Sequence, residues 1–335
     1  MASIGILGAG TWGAALTKLL AVKGHDTTLW SAVPEEISNL IESRRHPNLP
    51  GMIMPESVKY TTDIADVCKD KDIILCVVPS VYVRSTAAKM RDYVPDGQII
   101  VDAAKGIEAE TLMTLTEVIA DELKKDGKHD NIRLVALSGP THAEEVAKDM
   151  PTAIVSASPD AETARYVRNT FACSLLKVYT NSDIKGVELC GAVKNVIALA
   201  VGISTGLGFG DNARAALITR GIAELGALGS AMGCDHRTFA GLTGIGDLIV
   251  TATSIHSRNN KCGTLIGRGM PVEDAIKEVG MVVEGLNALP ATIKLRDKYG
   301  IRMPIITAVN DIVNGNTTPM KAADLLMRDH DTAEY

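Results

Sequence analysis

The chain contains no C-x-x-C pair and no cysteine and histidine at zinc-site spacing. Its six cysteines stand singly at positions 68, 76, 173, 190, 234 and 262, which sets aside a dithiol redox motif and a structural zinc centre. Scattered thiols of this kind read as small core residues of a reduced, cytoplasmic protein. Nor is there a surplus of basic charge. With 34 Lys and Arg against 40 Asp and Glu the net charge is −6, whereas a surface for nucleic acid or anionic membrane needs a field of Lys and Arg. Any anionic ligand must therefore meet a local basic cluster. The opening Met1-Ala2-Ser3-Ile4-Gly5-Ile6-Leu7-Gly8 lacks the basic start and unbroken apolar stretch of a secretion signal, so it reads as a first strand. The longest apolar segments, around Val196–Val201 and Ala215–Ala231, are broken by Gly, Arg or Glu well short of a membrane span. No internal repeat is visible.

What is present is ample apolar material: 46% hydrophobic and 22% charged residues over 335 positions, enough for two domains and without the signature of disorder. Up to about residue 180, short β-branched runs alternate with helical stretches. The expected strands are Ile4–Leu7, Thr27–Trp30, Ile73–Val78, Ile99–Asp102, Leu134–Leu137 and Ile154–Ala157, with weaker ones near Val58 and Val178. Their apolar continuity suits strands buried on both faces of a mostly parallel sheet. After Ser182 the texture turns to Ala, Leu, Ile and Gly at helical spacing, with helices expected over Ile184–Val201, Asn212–Met232, Asp247–Ser254, Val272–Val279, Leu286–Tyr299 and Ile305–Val313. The expected organisation is a Rossmann-type, doubly wound α/β domain over residues 1–181 and an all-α domain over residues 182–335.

Gly8-Ala9-Gly10-Thr11-Trp12-Gly13 follows the first strand and opens a helix that runs to Lys23. In a βαβ unit the first such glycine makes the tight turn, the second admits a pyrophosphate to the backbone, and the third lets helix and strand pack closely. A bare glycine pattern could be only a connecting turn, but its place at the head of an alternating β/α half favours a dinucleotide site, with the helix N-terminus facing the diphosphate. The ribose-binding acid expected at the end of the second strand is absent from Leu29-Trp30-Ser31-Ala32-Val33.

Lys105, in Asp102-Ala103-Ala104-Lys105-Gly106-Ile107, and the stretch Ser138-Gly139-Pro140-Thr141-His142-Ala143 both sit just past strand ends, where open α/β sheets bind ligands. Alone, each could be a surface lysine or a turn. Lys194 is more telling. Its helical neighbours Val187, Cys190, Gly191, Ile197 and Ala198 are all apolar or small, so a lysine stands on a face that belongs in the core. Burial disfavours a charged ammonium and makes lysine a feasible proton donor and acceptor near neutral pH; a stem snorkelling over apolar surface is the competing reading. Gly241-Leu242-Thr243-Gly244-Ile245-Gly246-Asp247 leads into a helix on which Thr251 shares a face with Asp247, although an N-terminal Asp is also an ordinary cap. Ser257-Arg258-Asn259-Asn260-Lys261 concentrates donors suited to a phosphate, or else forms a solvated loop.

These segments, together with Ala192-Val193-Lys194-Asn195 and Val283-Glu284-Gly285, occur in one order over nearly the whole chain. In this the sequence resembles NAD(P)-dependent glycerol-3-phosphate dehydrogenase of the bacterial type. The resemblance implies hydride transfer between sn-glycerol 3-phosphate and dihydroxyacetone phosphate with NAD or NADP, without a metal. It implies Lys194 as the proton acceptor with Asp247 orienting it and Lys105 completing the catalytic set, and Lys105, Gly139, Thr141, Asn195 and Thr251 on substrate oxygens. Ser257, Arg258 and Asn259 would meet the substrate phosphate. Gly8, Gly10, Thr11, Trp12, Gly13, Ala32, Lys105, Ala143, Arg258, Val282 and Glu284 would line the coenzyme. It further implies a homodimer, the commonest closed assembly, and a supply of glycerol 3-phosphate to phospholipid synthesis. One departure stands out: bacterial members often carry a basic side chain after the second strand, and Ser31, Ala32 and Val33 supply none. The rival readings are another two-domain dehydrogenase, such as a hydroxyacid or ketopantoate reductase, and a non-catalytic nicotinamide sensor. The Arg258-Asn259 pair argues against the first and a lysine on a core face against the second.

Overall fold

Each apolar run of the first half becomes a strand of one sheet. In the computed structural model, which describes residues 1–328, the strands are β1 (Ser3–Leu7), β2 (Asp26–Trp30), β3 (Lys59–Thr61), β4 (Ile73–Cys76), β5 (Ile99–Asp102), β6 (Arg133–Ser138), β7 (Thr152–Ala157) and β8 (Leu176–Asn181). The helices between them are α1 (Thr11–Val22), α2 (Pro34–Ser43), α3 (Ile64–Cys68), α4 (Val83–Met90), α5 (Leu115–Leu123), α6 (Ala143–Ala147) and α7 (Ala161–Phe171). The sheet order is β3-β2-β1-β4-β5-β6-β7-β8, parallel throughout except where β6 meets β7. Its first six strands follow the order of a doubly wound dinucleotide-binding sheet, which reverses direction between β1 and β4. Ile4, Ile6, Ile73, Ile74, Leu75, Ile100 and Val101 have no exposed surface, as strands covered by helices on both faces require.

The second half is helical: α8 (Ile184–Gly206), α9 (Asp211–Ala231), α10 (His236–Phe239), α11 (Asp247–Thr253), α12 (Arg258–Gly267), α13 (Val272–Val279), α14 (Glu284–Tyr299), α15 (Pro304–Val313) and α16 (Pro319–Met327). Among the described residues no strand follows Asn181. The chain divides into two compact units, one of residues 1–105 and 113–188 and the other of residues 106–112 and 189 onward.

Helix α8 is longer and more uniformly apolar than its sequence suggested. It is long and apolar enough to cross a membrane by length and composition, yet its apolar stretch is wholly buried inside the protein, so it is the central helix of a core. Helix α12, which apolar periodicity does not announce, packs against it backbone to backbone. A Cβ added at Gly202 would lie 2.3 Å from the Asn260 carbonyl oxygen, and one at Gly263 2.2 Å from that of Leu199. Any side chain at these positions would force the helices apart. Glu224 of α9 ties the same unit together elsewhere: its buried carboxylate accepts the Ile305 and Ile306 backbone N–H groups at 2.8 and 3.3 Å, capping α15.

Candidate active site

The glycine loop is held in the form its sequence implied. The Gly8 N–H donates to the Trp30 carbonyl at 2.9 Å, placing the loop across the end of β2. Gly8 has φ +119°, which disfavours any side chain, and a Cβ on Gly13 would lie 1.9 Å from the Gly8 carbonyl oxygen. Gly10 differs, for a Cβ there would meet nothing within 4 Å. It caps α1 with no side-chain hydrogen bond, so no cap side chain occupies the first-turn amides, as a helix that receives a diphosphate requires. The residues therefore fit a dinucleotide.

Beyond β2, Ala32 is exposed, and an acid of the next helix, Glu36, reaches the end of the strand. The Ser31 hydroxyl donates to Glu36 Oε2 at 2.6 Å and accepts the Val33 N–H at 3.1 Å. The sequence signal was Pro34 at the first position of α2, which makes Glu36 a first-turn acid able to fold back toward the strand end.

The ends of β5 and β6 come together. Lys105 Nζ donates to the Gly139 carbonyl at 3.4 Å, and the Thr141 hydroxyl donates to the same oxygen at 3.2 Å; Ala143 opens α6. Beneath them lies a pair of buried acids that sequence reasoning missed. Burial, and then the neighbouring Glu188, push the Asp102 carboxyl well above its usual range, against one weak backbone hydrogen bond from Ala104. Glu188 is itself pushed up to about 7 by burial, although it accepts the Thr116 N–H and hydroxyl at 2.8 and 2.5 Å.

In the helical unit, Lys194 is 3% exposed and Asp247 has no exposed surface. The Lys194 ammonium donates to Asp247 Oδ1 and, at 2.6 Å, to the Thr251 hydroxyl. Thr251 lies one turn beyond Asp247, with its hydroxyl 3.4 Å from the carboxylate. This polar group sits among fully buried Val193, Ile197, Ala198 and Leu248. The lysine does not snorkel; it is paired, and the carboxylate offsets the desolvation of the ammonium.

The close crossing of α8 and α12 decides the next set of contacts. Asn259 Nδ2 donates to Asn195 Oδ1 at 2.9 Å, Asn195 Nδ2 donates to the Gly191 carbonyl at 3.1 Å, and Asn259 Oδ1 accepts the Gly285 N–H at 2.8 Å. Ser257 caps α12 by accepting the Asn260 N–H at 3.2 Å, leaving half-buried Arg258 as the first residue of that helix. Buried Ser257 and Asn259 exclude a solvated loop. Glu284 opens α14 and accepts from Asn287 Nδ2 at 3.2 Å, while Val282 before it is 38% exposed. The motifs thus gather in two groups: the glycine loop, with Lys105 and Gly139 at the strand ends of one unit, and Lys194 with Asn195, Asp247, Thr251, Asn259 and Gly285 in the other.

A doubly wound sheet with an open glycine loop, and in the same chain a helical unit that buries a lysine against a carboxylate, define a dinucleotide-dependent oxidoreductase. The comparisons with known proteins narrow the class. Residues 3–164 match the family described as NAD-dependent glycerol-3-phosphate dehydrogenase N-terminus, and residues 183–324 match the corresponding C-terminus. The chain belongs to the NAD-dependent glycerol-3-phosphate dehydrogenase family. It is 60% identical over 98% of its length to a glycerol-3-phosphate dehydrogenase (NAD(P)+) of Lactobacillus delbrueckii subsp. bulgaricus, of which it covers 97%. It is 47% identical, with the same two coverages, to the enzyme of that name from Agathobacter rectalis. The crystal structure of glycerol-3-phosphate dehydrogenase from Coxiella burnetii superposes with a TM-score of 0.93 at 36% identity, covering 98% of this chain and 99% of that one.

Proposed function

We propose that the protein interconverts sn-glycerol 3-phosphate and dihydroxyacetone phosphate, with Lys194 as the general acid and base. The observation that carries this reading is the buried Lys194–Asp247–Thr251 group, which a nicotinamide sensor would have no reason to build. Gly8, Gly10, Thr11, Trp12, Gly13, Ala32, Lys105, Ala143, Arg258, Val282 and Glu284 would hold the coenzyme, whose nicotinamide accepts or donates the hydride at the secondary carbon of the substrate. The remaining work falls to the chain. In the oxidation direction Lys194 Nζ takes the hydroxyl proton as the carbon–oxygen double bond forms; in reduction its ammonium returns a proton to the carbonyl oxygen. Asp247 and Thr251 aim Nζ. Lys105, Gly139, Thr141, Asn195 and Thr251 orient the substrate oxygens, and Ser257, Arg258 and Asn259 grip the phosphate. That grip is remote from the reacting carbon and orients it, so its loss reduces turnover as well as affinity.

On coenzyme choice, Glu36 beside Ser31 and the lack of a basic side chain at Ser31, Ala32 and Val33 favour NAD over NADP, since a carboxylate suits a ribose hydroxyl and repels a 2′-phosphate. Residues 1–181 would carry most of the coenzyme contacts, and residues 182–335 proton transfer and the phosphate grip. The single free thiols and acidic net charge suit a cytoplasmic enzyme, with a homodimer as its assembly and glycerophospholipid synthesis as the outlet for its reduced product. The test is to follow NADH and NADPH absorbance with dihydroxyacetone phosphate, ketopantoate and a panel of 2-keto acids. Turnover confined to dihydroxyacetone phosphate is expected. Preference for ketopantoate or a 2-keto acid would replace the reading with another two-domain reductase, and no turnover with any of them would leave a sensor.

A further inference from the structure

We infer that His46 is a positioning residue for the dinucleotide-binding loop, its imidazole clamping the Ala9 carbonyl and thereby setting the direction of the Gly10 peptide N–H. This rests on the coenzyme role proposed for that loop. His46 is 8% exposed. One ring nitrogen, Nε2, lies 3.1 Å from the Ala9 carbonyl oxygen, and the other, Nδ1, lies 3.1 Å from the Asn48 backbone nitrogen. A carbonyl can only accept and a peptide N–H can only donate. Nδ1 is therefore the acceptor and Nε2 carries the hydrogen, which is one defined neutral tautomer. Burial holds the ring pKa below its ordinary value and supports that form, against the Ala9 hydrogen bond and the negative charge of Glu36. The nearby Arg44 guanidinium is committed to the Met54 carbonyl and Glu56.

The consequence follows from peptide geometry. The Ala9 carbonyl and the Gly10 N–H belong to one planar trans peptide and point in opposite directions. Anchoring the carbonyl toward His46 turns the Gly10 N–H away from it, at a residue that is exposed and beside which a Cβ would touch nothing. The histidine is in turn delivered by a rigid arm. The Arg44–Met54 loop closes on itself through the Met54 N–H to the Arg44 carbonyl at 2.9 Å and the Leu49 N–H to the His46 carbonyl at 3.0 Å. It is rooted by Leu49, Met52 and Met54, buried in the same core cluster as Ala9 and Ala14. The elements of the clamp are thus fixed before any ligand arrives, which is the condition for pre-organised binding.

The test uses the full-length protein and NADH alone, titrated by fluorescence without substrate, alongside steady-state kinetics. His46→Leu removes both ring nitrogens, His46→Asn keeps a short acceptor for Asn48 but cannot reach Ala9, and His46→Gln places an amide N–H near where Nε2 stood. The Leu and Asn variants are expected to weaken NADH binding about tenfold, as loss of one hydrogen bond to a buried carbonyl implies. The KM for dihydroxyacetone phosphate and kcat at saturating coenzyme should stay near wild type, and Gln should recover most of the affinity. NADH binding at wild-type strength in the folded Leu or Asn variant, or a Gln variant as weak as Asn, overturns the inference. If Leu fails to fold, the Asn and Gln pair decides. A wild-type protein that binds NADH but does not reduce dihydroxyacetone phosphate removes the proposed substrate and leaves the clamp standing; one that binds no nicotinamide nucleotide removes both.

Discussion

Replacing Lys194 with Met tests both the chemistry and the electrostatics of the helical core. From the sequence alone Met is a gentle change, since it keeps the apolar stem. The pairing overturns that expectation, because Asp247 has no exposed surface and in the variant loses its ammonium partner. Breaking one side of a buried pair costs about 3–5 kcal/mol. For a unit of roughly 150 residues, each kcal/mol lowers Tm by about 2–4 °C, so Lys194→Met is expected to melt about 6–20 °C below wild type. Adding Asp247→Asn removes the buried charge and should restore most of that loss. Catalysis should not follow. Both variants lack the proposed proton-transfer group and should lose about 10²–10⁴-fold in kcat, and the step that a titrating lysine imposes on the pH profile should vanish with it. Thermal melts, NADH titration and kcat against pH on the wild type, the single and the double variant separate the two effects. A Lys194→Met protein with wild-type kcat refutes the acid–base role. One with wild-type Tm refutes the claim that the ammonium holds a charged Asp247 in the core.

Other expectations follow from the same geometry. Arg258→Ala, which removes the phosphate contact proposed for this side chain, should cost about two orders of magnitude in kcat/KM for dihydroxyacetone phosphate while the protein stays folded; unchanged kinetics would remove Arg258 from the site. NADH should serve at least as well as NADPH, and Ala32→Arg combined with Glu36→Gln should move the kcat/KM ratio toward NADPH; a wild type strongly selective for NADPH would show that a basic group elsewhere meets the 2′-phosphate. Glu224 is pushed up to about 7 by burial, so the folded state holds its proton more tightly than the unfolded chain. The resulting stability is full below its ordinary value near 4.5 and is lost as pH rises through 7. Urea denaturation should find Glu224→Gln gaining on wild type from pH 5 to 7 and level beyond, and a pH-independent difference would contradict the buried, protonated carboxyl.

Much of this protein was legible in local patterns, because they record constraints that act over a few residues. The apolar runs at Ile4, Ile73 and Ile99 announce strands covered on both faces, and all three are fully or almost fully buried. Gly8, Gly10 and Gly13 announce a tight turn, a backbone that a ligand can approach and a close helix–strand contact, and a lysine among Cys190, Gly191, Ile197 and Ala198 announces a buried cation. Periodicity tells which face of a helix is covered; it does not tell what covers it. That Lys194 is answered by Asp247, that Asn195 is bridged through Asn259 to Gly285, and that Glu36 folds back to Ser31 depends on how elements pack. So does the helix beginning at Arg258, whose glycines acquire meaning only against those of α8. Glu224, Glu188 and Asp102 look in the sequence like ordinary surface acids. Only the tertiary structure buries them, because a carboxylate's environment is set by distant chain segments brought within hydrogen-bonding distance, and no spacing along the chain encodes that distance.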